Sequence, residues 1–108
     1  MSDWINATLV DDLRPGHRMV VEVDDVMIVL FNLDGEFYAI EDICTHDGSE
    51  ISDGCIIDDC IECPRHGARF SIKTGEVVSP PAYEPVDTFP VQVVADRCLI
   101  KQDDKLHQ

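Results

Sequence analysis

The sequence predicts a small all-β domain, an antiparallel sandwich or barrel, and three observations lead there. β-branched runs recur at close spacing, tight-turn signals stand between them, and no helix-length stretch keeps an apolar period of three to four residues. With 108 residues and a hydrophobic fraction of 44%, the chain suits one domain, 1–108, with a packed core.

The elements follow in order. "RMVVEV" and "VMIVLFNL" are strands joined by a turn at Asp24-Asp25, and Asp34-Gly35 is a hairpin signal leading into "EFYAI". "CIIDDCIEC" reads as two short strands around Asp58-Asp59. "ARFSI" and "EVV" flank Lys73-Thr74-Gly75, and "TFPVQVV" and "CLIK" flank Ala95-Asp96-Arg97. Trp4, Phe31, Phe37, Tyr38, Phe70 and Phe89 fall on these patterns and are expected in the core. His17 and His107 lie in polar surroundings and are expected exposed. The middle differs in composition. Residues from about 43 to 67 are rich in Cys, His, Gly and Asp, and "SPPAYEP" is proline-rich. This predicts a loop-built site, about 43–84, set into a β base formed by both ends of the chain.

Composition excludes several classes. The N-terminus lacks a basic region followed by an apolar run, which predicts no signal peptide. The longest apolar segment is too short to span a bilayer, so the expectation is a cytoplasmic protein without a membrane partner. In that compartment five clustered cysteines argue for metal binding over disulfides. The net charge of -14, from 22 acidic and 8 basic residues, argues against nucleic acid. It is compatible with steering toward a basic partner patch.

Two metal readings share the cysteines. Cys55, Cys60 and Cys63 form C-x4-C-x2-C, and with Cys98 they follow the ligand order of a plant-type ferredoxin. Alternatively, Cys44 and His46 form C-x-H, and Cys63 and His66 form C-x2-H. Side chains two apart in an extended segment point the same way, and Pro64 and Gly67 shape a tight second loop. Four such donors suit tetrahedral zinc. They also suit a [2Fe–2S] cluster with two thiolates on one iron and two imidazoles on the other. Spacing alone does not decide.

"CTH" followed by "CPRHGARFSIKTGEVVSPPAYEP" resembles the Rieske ferredoxins, the small electron carriers of bacterial ring-hydroxylating oxygenase systems. The resemblance runs from "VMIVLFNLDGEFYAIEDICTH" to "FPVQV". It implies a Rieske-like antiparallel β fold with a small cluster-binding subdomain. It also implies one [2Fe–2S] cluster per chain, with Cys44 and Cys63 on one iron and His46 and His66 on the other. Pro80-Pro81-Ala82 stands where a covering loop belongs. Cys55, Cys60 and Cys98 then read as strand side chains, and Arg65 and Arg69 as solvated residues beside the second ligand loop.

What the resemblance implies for function is one-electron transfer without catalysis. The electron passes from a flavin-dependent ferredoxin reductase to a terminal non-haem iron oxygenase, and the carrier is expected to act as a monomer. Three other roles share parts of this pattern: a small Rieske subunit of a nitrite reductase type enzyme, an auxiliary protein of iron–sulfur metabolism, and a zinc-stabilised interaction module. The resemblance further implies a low reduction potential. In the respiratory members a disulfide ties the ligand loops, and a serine and a tyrosine donate hydrogen bonds to the cluster. The matching positions here are Ser49 and Arg65 for the disulfide, and Ala68 and Phe70 for the donors.

Overall fold

The computed structural model describes residues 4–101. In chain order the strands are β1 (Trp4–Leu9), β2 (Arg18–Val23), β3 (Val26–Leu33), β4 (Glu36–Glu41), β5 (Cys55–Ile57), β6 (Cys60–Glu62), β7 (Arg69–Ser71), β8 (Val77–Ser79), β9 (Thr88–Phe89), β10 (Val91–Val94) and β11 (Arg97–Lys101). The one helical element among the described residues is a 3-10 turn at Val10–Asp12. Three antiparallel sheets result, in the orders β1-β11-β10, β2-β3-β4-β9 and β5-β6-β7-β8. No described helix is long and apolar enough to cross a membrane.

The hairpins are set by aspartates in left-handed backbone. Asp24 and Asp25 have φ of 51° and 69°, and Asp58 and Asp59 have φ of 50° and 64°. Positive φ at both central residues is the turn geometry that matches strand twist, and Asp tolerates it better than larger residues. Each turn fixes a register, Val23 opposite Val26 and Ile57 opposite Cys60.

β3 is the wall between two cores. Ile28 and Leu30 pack with Ala39, Phe89, Cys98 and Ile100 in one cluster. Val29 and Phe31 pack with Ile40, Cys44, Ile61, Cys63 and Phe70 in the other. Alternate side chains of a strand leave by opposite faces, and both faces of this one are covered, so "VMIVLFNL" is an apolar run rather than an alternation. Each fully buried Ile, Leu or Phe here contributes about 1.5–3 kcal/mol. The buried Asn32 is satisfied: its Nδ2 donates to the Leu13 carbonyl at 2.8 Å, and its Oδ1 accepts from the Gly35 amide at 2.7 Å.

Three details depart from the sequence expectation. β1 formed no part of it. "TFPVQVV" is two strands, because Pro90 has no N–H to donate. At Pro90 the chain leaves β4, where Phe89 faces Ala39, and joins β11. Among the aromatics, Phe31, Phe70 and Phe89 are buried, but Trp4, Phe37 and Tyr38 are only half-buried. The Tyr38 ring lies under Lys73, and its hydroxyl donates to Glu36, which explains its position at the surface. His17 is exposed as expected, and His107 lies outside the described residues.

Candidate metal centre

Two loops of the same build carry the candidate ligands. In the first, between β4 and β5, the Cys44 amide donates to the Ser49 carbonyl at 2.6 Å and the Gly48 amide to the Cys44 carbonyl at 2.7 Å. In the second, between β6 and β7, the Cys63 amide donates to the Ala68 carbonyl at 2.7 Å and the Gly67 amide to the Cys63 carbonyl at 3.1 Å. Gly48 and Gly67 both have φ of 80°, a conformation that penalises any side chain. The hexapeptides "CTHDGS" and "CPRHGA" are therefore one structural unit used twice, with the histidine displaced by one position. Asp47 of the first loop stands where His66 stands in the second.

Neighbouring groups hold these loops in place. Asp42 is buried, and its Oδ1 accepts from the amides of Ile51 and Ser52 at 2.9 and 2.8 Å, closing the first loop. Arg18 of β2 donates to the Gly54 carbonyl. A Cβ at Gly54 would stand 1.8 Å from the Glu62 carbonyl oxygen, so that position admits glycine alone. A third loop, 80–85, closes over the site. The Thr45 hydroxyl donates to the Glu84 carbonyl at 2.6 Å, and Ala82 is buried in the same cluster as Cys44 and Cys63.

The donors sort by burial. Cys44 and Cys63 are 0% and 1% exposed. His46 and His66 are exposed, their rings 5.1 Å apart and nearly perpendicular at 84°. The two cysteine sulfurs gather with an Asp47 oxygen within 4.8 Å, and separately the two imidazoles gather with Asp47 within 4.8 Å. Burial pushes the Cys44 thiol up, the backbone amides of His46 and Asp47 oppose that by hydrogen-bonding its sulfur, and Cys63 raises it further. The Cys44 sulfur thus lies in a buried cluster with the His46 and Asp47 amides acting on it. That is what an anionic sulfur cluster requires, and neutral imidazoles tolerate the wet side.

The other cysteines are elsewhere. Cys98 is buried in β11 within the base core, on the far side of β3 from Cys63. Cys55 is exposed on β5, and Cys60 is half-buried on β6 with its thiol pushed up by burial. The C-x4-C-x2-C set plus Cys98 is not brought together. Nor are the two arginines simply solvated: Arg69 Nε donates to Glu62 Oε2 at 3.1 Å across β6 and β7, and Arg65 Nε lies 3.7 Å from Asp47 Oδ2. The residues that sequence reasoning missed are Asp42 and Asp47. Aligning the two hexapeptides on Cys and Gly places Asp47 opposite His66, but its partners come only from the structure.

Residues 3–90 match the Rieske [2Fe-2S] domain family. The chain is 35% identical over 101 residues to the ferredoxin component of the naphthalene 1,2-dioxygenase/salicylate 5-hydroxylase systems of Ralstonia sp, covering 94% of this chain and 97% of that one. It is 40% identical over 98 residues to the biphenyl dioxygenase ferredoxin subunit of Pseudomonas sp. (strain KKS102), covering 90% of each. It superposes with a TM-score of 0.86 and 31% identity on a chain in the complex of reduced oxygenase and oxidized ferredoxin in carbazole 1,9a-dioxygenase, over 94% of both chains.

Proposed function

The chain belongs to the Rieske [2Fe-2S] domain family, and from that premise we propose that it is the one-electron carrier of a ring-hydroxylating dioxygenase system. Cys44 and Cys63 hold one iron, and His46 and His66 hold the other. When bound, the cluster supplies a single reversible electron. The observation that carries the ligand reading is the sorting of donors into two pairs. One tetrahedral zinc needs all four donor atoms within about 4 Å of one another. Here the cysteines form one group and the histidines another, which supports two metal atoms side by side.

The protein's own residues then have distinct tasks. The His46 and Asp47 amides stabilise charge on the Cys44 sulfur, and Ala82 on the third loop excludes water from the cysteine side. The exposed edges of His46 and His66 are the contact through which a docked partner receives the electron. All four ligand positions are protein side chains, so no coordination site is left open for a substrate. The acceptor is a terminal non-haem iron oxygenase, by analogy with the complex that the carbazole system forms, and the donor is a flavin-dependent reductase. We place this activity in the cytoplasm, in a monomer of one domain whose residues from about 43 to 84 form the cluster-binding part.

The test is stopped-flow mixing of the chemically reduced protein with a ring-hydroxylating terminal oxygenase. Re-oxidation of a coloured chromophore containing two irons and two sulfides per chain is the expected result. A colourless protein with one zinc, or a reduced cluster that persists in the presence of oxygenase, contradicts the proposal.

A further inference from the structure

We propose that Asp47 is a positioning residue that clips the two ligand loops together through Ser49 on its own loop and Arg65 on the other. The inference rests on the ligand reading above. It begins with the repeated loop. Superposed on Cys and Gly, the first hexapeptide carries aspartate where the second carries His66, so the carboxylate is directed into the space between the loops. Its two oxygens are used differently. Oδ1 accepts from the Ser49 amide at 2.9 Å and the Ser49 hydroxyl at 2.5 Å, which anchors the carboxylate to its own loop. Oδ2 faces the second loop, 3.7 Å from Arg65 Nε and 3.8 Å from His66 Nε2.

A lone exposed ion pair contributes little, because two long side chains must be immobilised to form it. Here one partner is immobilised already. Ser49 fixes Asp47, so the Arg65 guanidinium meets a carboxylate held in place. Asp47 also stands within ligand distance of both donor pairs, which makes it the obvious rival ligand. Its Oδ1 is held by Ser49, its Oδ2 faces the Arg65 guanidinium at 3.7 Å, and the sulfur side of the site favours soft thiolates over carboxylate. Its role is therefore to hold the histidine-bearing segments at a fixed separation, and its charge acts on the site without bonding to it.

The experiment uses the cluster-loaded protein and the variants Asp47→Asn, Asp47→Ala, Arg65→Gln and the double Asp47→Asn/Arg65→Gln. Iron content, the rate of cluster bleaching by EDTA, and the midpoint potential are measured. All variants are expected to keep two irons. Bleaching accelerates about threefold in Asp47→Asn, the scale of an ordered surface pair, and about tenfold in Asp47→Ala, where the Ser49 bonds go too. The double variant bleaches no faster than Asp47→Asn, because the two changes remove one interaction. The potential rises in Asp47→Asn and falls in Arg65→Gln, opposite signs that a purely structural effect does not produce. If Asp47→Ala folds poorly, Asp47→Asn, which keeps an acceptor for Ser49, carries the test. Wild-type bleaching in the Asp47 variants, additive single effects, or potentials that move together overturn the clip. So does loss of iron in Asp47→Asn, which makes Asp47 a ligand. A wild-type protein without two irons overturns the ligand reading, and the clip falls with it.

Discussion

The three-stranded meander β2-β3-β4 and the paired ligand loops packed against one face of β3 are held by different means. β3 makes six residue pairs with β2 and six with β4. The third sheet has strands of three residues, with three pairs between β5 and β6 and three between β6 and β7. The meander is over-determined by ladder bonds and apolar burial, so no single residue decides its shape. The ligand region depends on individual contacts: the Asp42 carboxylate, four backbone bonds, one close glycine and two buried sulfurs. Long registers make a base that tolerates change, and short strands make a tip whose geometry is set residue by residue.

The strongest break in this contrast removes a proposed ligand. Cys44→Ala, His46→Ala, Cys63→Ala or His66→Ala is expected to abolish the visible and electron paramagnetic spectra of the cluster while the far-ultraviolet signature of the base meander persists. Cys55→Ser, Cys60→Ser and Cys98→Ser leave the cluster spectra unchanged. Loss of the cluster in Cys60→Ser alone reverses the assignment.

Next in size is Asp42→Ala. It leaves the buried Ile51 amide and the half-buried Ser52 amide without acceptors, at a cost of about 2–3 kcal/mol. Hydrogen exchange is expected to quicken in the first ligand loop and to stay slow in β2 and β3. Uniform quickening would merge the two regions into one cooperative unit.

A smaller effect concerns the cluster's electron. Ala68 and Phe70 are both fully buried and carry no hydroxyl. Their lack of donors, with the surrounding acidic charge, places the midpoint near the low end of the Rieske range, roughly -150 mV. Phe70→Tyr adds one possible donor and is expected to raise the potential by about 60 mV, the equivalent of about 1.4 kcal/mol for one electron. Protein-film voltammetry checks both values, and a wild-type midpoint above about +100 mV shows that other donors set it.

The smallest effect lies at the junction. Partial burial, and then the nearby Asp87, raise the Glu41 carboxyl above its ordinary range. A carboxyl raised on folding stabilises the fold at low pH, and that contribution is lost as pH rises through the folded value. Glu41→Gln is therefore expected to be slightly more stable than wild type at pH 7, by about 2 °C, with the difference shrinking below pH 4. Thermal melts at pH 7 and pH 3.5 decide it, and an equal difference at both values excludes titration as the cause.

How much of this was legible follows the same division. The base was readable because β-branched runs and Asp-Asp or Asp-Gly turns carry their geometry locally. β1 was not, because "WINATL" has no strong pattern and pairs with β11 at the other end of the chain. Pro90 was visible, but that the chain changes sheets there depends on which strands lie on either side. At the site, the two Cys/His pairs were legible from spacing. The roles of Asp42 and Asp47 were not, since an aspartate among 22 acidic residues announces nothing until its oxygens are seen to meet amides, Ser49 and Arg65.

The central claim is the two-and-two ligation, with sulfur on one iron and imidazole on the other. The direct measurement is pulsed electron–nuclear double resonance on the reduced protein labelled with ¹⁵N-histidine. Two distinct coupled histidine nitrogens are expected, and both vanish with the cluster in His46→Ala or His66→Ala. A reduced cluster without coupled histidine nitrogen would mean all-cysteine ligation, and it would contradict the account.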